Sequence, residues 1–229
     1  MRNAFVFIKK VLYVIFFIGS LNAFSQSDAV LGETAVNLIH PFSEKYSVDF
    51  TFRSRYFLFR SRTWQYNQQQ VDLYHFSNYI INKKNIVSLG VYYRNRDLFD
   101  TGLGEIRITE KYNHITHYQH IRLRHKIRIE QRFLENTTVF RQRYMFEIGL
   151  PLKGETFDVG ETYFTGSLEG LLSLSPHIST RTSLRTNALI AWKIAKTFKV
   201  KAGLEYRLNA FNQNTFSRLF LLTSAVILL

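Results

Sequence analysis

The chain has 229 residues, no cysteine and a net charge of +13. This length suits one substantial domain rather than two, and the lack of cysteine excludes disulfide frameworks, thiol nucleophiles and thiolate metal sites. Aromatic residues make up 16% of the sequence and charged residues 21%, so the fold has to place two very unlike sets of side chains on different surfaces.

Arg2, Lys9 and Lys10 precede a short apolar run at 11–18, and small and polar residues follow at 19–26. That order is the pattern of a secretory signal peptide, with Ala23 and Ser25 as the small pair before a cut at Ser25/Gln26. Residues 1–25 are therefore expected to be removed and residues 26–229 to form the folded domain. The apolar run is too short to serve well as an anchor across a ~30 Å hydrocarbon core. No later stretch is long and apolar enough for a membrane helix, so a bilayer-spanning chain has to close its strands into a barrel.

Beyond the signal the apolar period is two, the period of a strand. Residues 46–60 set Tyr46, Val48, Phe50 and Phe52 against Asp49, Thr51, Arg53 and Arg55. After a turn at Lys83, Lys84 and Asn85, Val87, Leu89, Val91 and Tyr93 alternate with Ser88, Gly90, Tyr92 and Arg94. Over 118–133, Ile121, Leu123, Ile127 and Ile129 oppose Arg122, Arg124, Lys126, Arg128, Glu130 and Arg132. A helix would scatter those charges all round, whereas a strand keeps them on one face.

The alternation continues to the end of the chain. Phe140, Tyr144, Phe146, Ile148 and Leu150 oppose Arg141, Arg143 and Glu147. Phe164, Leu168 and Leu172 oppose Tyr163, Thr165, Ser167 and Glu169; Leu184, Ala188, Ile190 and Trp192 oppose Arg181, Ser183, Arg185 and Asn187. Val200, Ala202, Leu204, Tyr206 and Leu208 oppose Lys201, Glu205 and Arg207, and 217–229 is nearly all apolar. Less regular strands are expected at 30–40 and 68–81, and 105–111 is a candidate eleventh. The strands exceed the ~5–6 residues usual in soluble proteins and the ~9–11 that a tilted strand needs to cross a bilayer. The expected fold is an all-β, antiparallel up-and-down transmembrane β-barrel of ten to twelve strands. Single-chain bacterial barrels are usually even-numbered, which favours ten or twelve. The competing fold is a soluble periplasmic β-sandwich or barrel with its apolar faces turned inward.

The run RHKIRIEQRF, followed by FRQRYMFEIGLPLKG, resembles the domain-of-unknown-function 2490 family. The matching positions are Arg124, Arg128, Glu130 and Arg132, then Arg141, Arg143 and Tyr144, then Leu150, Pro151 and Gly154. The stretches SEKYSVDFTFRSR, GETYFTGSLEGLL and KAGLEYRL also resemble that family. The resemblance implies an outer-membrane barrel of a Gram-negative bacterium and brings no established activity with it.

Arg53, Arg55, Arg94, Arg122, Arg124, Arg128, Arg132, Arg141, Arg143, Arg185 and Arg207 are expected in the lumen, with Glu130, Glu147, Glu161, Glu169 and Glu205. Guanidinium–carboxylate pairs across neighbouring strands would brace a narrow barrel. Alternatively, an arginine-rich lumen would bind small anionic solutes or pass them passively. A barrel of about ten strands leaves little open space, because eight strands are already filled by side chains.

His114, His117, His120 and His125 cluster near a turn without the converging ligand arrangement of a zinc site, and neither metal nor cofactor is expected. No role as an enzyme is expected. The alternative is a lipid-modifying outer-membrane hydrolase built on Ser77 and His75, with Asp72 or Glu110 as the acid. The expected partners are outer-membrane lipids, lipopolysaccharide at the rim and the barrel-assembly machinery. An exported chain without a phosphate-cradling glycine loop is not expected to bind nucleic acid, and its oligomeric state is left open.

Overall fold

The computed structural model describes residues 29–96, 104–152, 154–176 and 178–229. The expected signal peptide lies outside the described residues, as do residues 97–103. Eleven strands follow one another: β1 (Ala29–Pro41), β2 (Tyr46–Arg60), β3 (Thr63–Ile80), β4 (Asn85–Arg96), β5 (Glu105–Tyr118) and β6 (Ile121–Leu134), then β7 (Thr137–Pro151), β8 (Thr162–Ser175), β9 (Ile178–Lys193), β10 (Phe198–Asn209) and β11 (Phe216–Leu228). They close into one barrel in chain order.

The closure departs from the expected even count. The candidate strand at 105–111 is β5, which runs on to Tyr118 before the two-residue turn at Gln119 and His120. An odd number makes the first and last strands run the same way. β1 and β11 therefore pair in parallel, from Val30↔Leu219 to Ile39↔Leu228, while each strand is antiparallel to the next in sequence, as at β1–β2 and β10–β11.

Local chemistry sets the turns. Ser61 and Arg62 both have positive φ, 52° and 66°, the backbone of the two-residue hairpin turn whose twist matches its flanking strands. At the β3–β4 turn, the Asn82 side-chain oxygen accepts hydrogen bonds from the Lys84 and Asn85 backbone N–H groups, each at 3.0 Å. This local bonding substitutes for ladder partners, as short amide side chains do in turns.

Successive residues of a strand point to opposite faces, and the faces differ sharply. Outward residues are apolar and exposed, among them Phe50 (53%), Leu89 (58%) and Ile190 (56%). Inward residues include Asp72 (0% exposed) and Glu130 (2%). Charges inside and hydrocarbon outside invert the order of a water-soluble barrel. A few apolar side chains also point inward. The Phe76 ring fills the space where a Cβ on Gly90 would sit, and Lys111 Nζ lies 4.1 Å from the centre of that ring.

The candidate functional site is the charged lumen

Every second residue of β3 to β9 turns inward, so a charged residue at matching depth on adjacent strands meets its neighbour across the ladder. Asp72 on β3 accepts from Arg94 Nε on β4 at 2.9 Å. Glu105 on β5 takes Arg107 at 2.6 Å and Arg132 of β6 at 2.5 Å, with Arg96 at 3.4 Å. Glu130 on β6 joins Arg143 of β7 at 2.8 Å, Arg128 at 3.4 Å and Arg107 at 3.5 Å. Arg143 then reaches Glu169 on β8 at 2.6 Å, and Arg185 of β9 lies 3.8 Å from the same carboxylate.

A second arc crosses the parallel seam. Glu33 on β1 binds Arg55 at 2.6 Å and Arg53 at 3.3 Å, both on β2, and Arg207 of β10 at 3.3 Å. Arg207 also pairs with Glu205. The intervening strand β11 supplies no acid there, its one charged residue being Arg218, which stands opposite Arg207 in the ladder. The Phe220 ring of β11 has its centre 3.7 Å from the Arg207 guanidinium carbon, a cation–π contact that bridges the seam. Tyr92 plays the same part in the first arc, with Arg107 at 4.1 Å and Arg94 at 5.2 Å from its ring.

Among the described residues, ten arginines are thus ion-paired with six carboxylates in this belt. Glu33, Glu105, Glu130 and Glu169 are each shared by two or more arginines, which leaves an excess of positive charge around a cavity of about 280 Å³. Bidentate and shared charge-assisted bonds are stronger than neutral ones, but a shared acid cannot neutralise every arginine that touches it.

The excess grows toward the rim that carries the Gln119–His120 turn. Arg122 and Arg124 on β6 share Glu147 at 3.9 and 3.4 Å. The Nε atoms of Arg122, Arg124 and Arg128 are buried without a hydrogen-bond partner among the described residues. Lys126 of β6 and Lys199 and Lys201 of β10 are oriented into the same half of the lumen and, among the described residues, form no ion pair. Lys111 forms no ion pair among the described residues, its Nζ lying 3.5 Å from the Asn78 amide oxygen. The result is a belt of ion pairs at mid-barrel and a basic vestibule beside it.

All the lumen residues expected from the sequence come together in these two zones except Glu161. Glu161 sits in the loop before β8, where its carboxylate accepts from the Asp158 N–H at 3.3 Å and the Thr156 hydroxyl at 3.5 Å. The pleat did not extend back to it. Arg141 faces the belt but bonds Ser173 Oγ, at 2.8 Å. Sequence reasoning missed Glu33, Asp72, Glu105 and Arg107 as lumen groups. The alternation of Glu105, Arg107 and Thr109 with Ile106 and Ile108 is clean and was available as a signal. Asp72, considered as the acid of a triad with His75 and Ser77, lies on the opposite face of β3 from both and is taken by Arg94.

Three of the four clustered histidines each have a partner of their own. His114 Nδ1 lies 2.7 Å from Asn85 Oδ1, His125 Nδ1 2.8 Å from the Tyr144 hydroxyl, and His120 Nδ1 2.9 Å from the Glu155 carbonyl. Among the described residues no group of three or more potential metal ligands converges.

No curated protein and no solved structure matches this chain. One family does match, over residues 34–218, which takes in the strands from β1 to the start of β11 and both zones of the lumen. The chain belongs to that family, described as a protein of unknown function (DUF2490).

Proposed function

We propose that this protein is an outer-membrane β-barrel of a Gram-negative bacterium, exported by its signal peptide, whose vestibule binds small anionic solutes while the ion-pair belt keeps them from passing freely. The membrane reading rests on the inverted distribution of side chains. A barrel with exposed Phe50, Leu89 and Ile190 outside and a charged interior suits a surrounding of lipid, and a closed barrel leaves no unpaired edge in hydrocarbon. Lipids and lipopolysaccharide are the surroundings this surface fits, and assembly would be by the barrel-assembly machinery.

The observation that carries the anion reading is the vestibule: Arg122, Arg124 and Lys126 with Lys199 and Lys201 opposite, and Glu147 as their shared acid. Buried guanidinium N–H groups without acceptors are costly to leave unmade, about 1–3 kcal/mol each, and an anion with several oxygens supplies those acceptors. The belt beyond them argues for binding over passage. Purified, folded protein is expected to show no steady conductance in a planar bilayer. Phosphate or sulfate should raise its unfolding temperature more than chloride at equal ionic strength. An open, anion-selective conductance would replace binding by passage, and equal stabilisation by all three anions would remove the binding site.

A further inference from the structure

On the outer face of the barrel, away from the lumen, β3 carries a second constellation. His75 and Ser77 are two residues apart on one strand and so share a face. Ser77 Oγ lies 3.3 Å from His75 Nε2, and the Tyr46 hydroxyl of β2 donates to the same Oγ at 3.1 Å. Phe50 packs on the imidazole with ring centres 4.7 Å apart, which holds the ring over the serine. His75 Nδ1 is buried with no partner among the described residues.

We propose that Ser77 and His75 form a lipid-facing nucleophile–base pair that hydrolyses the acyl ester of a membrane amphiphile. The placement rests on the membrane reading above. A polar pair of this kind on the outward face of a barrel faces no water-filled lumen and meets whatever surrounds the barrel. Ser77 is close to the end of β3 at Ile80, beside the cross-strand pair Tyr46↔Tyr79, an arrangement typical of the aromatic girdle at the membrane interface. Ester carbonyls of membrane lipids lie at that level, between headgroup and acyl chain. A groove of about 560 Å³ begins at Tyr46 and Ser77 and continues along Leu89, Ile127 and Ile129, within the size range of small-molecule sites and apolar enough for a chain.

The chemistry balances on these groups. Ser77 Oγ bonds to the ester carbonyl carbon while its proton passes to His75 Nε2. The carbonyl carbon–alkoxy bond breaks, and the departing alcohol oxygen takes that proton. Water then attacks the acyl-serine, giving a proton to His75, and fatty acid leaves as Ser77 regains its hydrogen. The Tyr46 hydroxyl is the donor beside Oγ that can turn to the carbonyl oxygen as charge develops there.

Among the described residues no carboxylate orients the imidazole. Glu110 opens on the same groove, yet Ser77 pairs with Leu89 and Leu89 with Glu110, which sets Glu110 two strand spacings away, about 9–10 Å. The pair is therefore a dyad. Losing the orienting acid of a triad costs on the order of 10⁴ in turnover, so slow hydrolysis is expected and covalent labelling is the more sensitive readout.

The test uses the full chain, folded in the outer membrane of a Gram-negative host and extracted in detergent, with folding read from a band that shifts on boiling. The protein is exposed to a fluorophosphonate probe and digested for mass spectrometry. It is also mixed separately with phosphatidylethanolamine vesicles and with lipopolysaccharide, and released fatty acid is measured. The expected result is an adduct on Ser77 and release from one of the two lipids, which names the source of the ester. Both signals should fall at least 100-fold in Ser77→Ala and in His75→Ala, with the boiling shift retained. A folded wild-type barrel with no Ser77 adduct, an adduct without release from either lipid, or undiminished release by Ser77→Ala overturns the assignment. Each of those outcomes leaves the membrane-barrel reading standing, because the gel shift reports it independently.

Discussion

Glu130 shows how much one carboxylate holds in this lumen. It is 2% exposed and faces Arg107, Arg128 and Arg143 on three strands. Glu130→Gln leaves those guanidiniums with one anion fewer in a site they cannot leave, and breaking a buried pair by removing one partner costs roughly 3–5 kcal/mol. The expected outcome is a clearly lower urea midpoint for unfolding from detergent or bilayer. Glu155→Gln is the contrast: its contact with His120 is 3.9 Å long and solvent-exposed, and such pairs contribute ~0–1 kcal/mol, so the midpoint should barely move. Both outcomes follow from burial, a property the sequence showed for Glu130 through its strand's strict alternation. Glu33 and Asp72 escaped notice because β1 mixes small and polar residues on both faces and the start of β3 is mostly polar and exposed on both.

Strand boundaries were legible wherever one face is covered and the other is not. β2 spans Tyr46–Arg60 as the pattern indicates, whereas β3 begins at Thr63, five residues ahead of the expected 68. The reason is physical. Trp64 and Tyr66 are 79% and 71% exposed, so the early part of β3 has no buried face to impose a period of two. The turn joining these strands places Ser61 and Arg62 at positive φ, a backbone that costs a side chain with a Cβ about 1–2 kcal/mol per residue. Replacing the pair by Asn-Gly, the residues that suit this turn, should stabilise the barrel by about 1 kcal/mol or more, read as a raised urea midpoint. An unchanged or lowered midpoint would mean that the two residues make contacts which offset their strain.

At the scale of the whole molecule the feature to test is the seam. Parallel pairing of β1 with β11 sets Thr34 opposite Thr223, their hydroxyl oxygens 2.9 Å apart. The chain has no cysteine, so Thr34→Cys with Thr223→Cys introduces a single possible intramolecular disulfide. Mild oxidation of the folded double variant should close it, giving a product lighter by two hydrogens and a changed mobility on a boiled, non-reducing gel. A barrel closed through an even number of strands would keep these residues apart and yield no such product. The sequence by itself determined the class of the fold and the sidedness of its strands, because a period of two in hydrophobicity is a local property read within each segment. It also determined that charge would gather on one side of the sheet. Only the tertiary structure decided the closure, since the parity of a barrel depends on counting every strand, including one whose end is masked by a polar histidine run. The partners of each arginine were likewise a tertiary outcome. Which carboxylate lies within reach is set by register between strands, and Glu33 meets Arg207 across β11 only because the ring has closed.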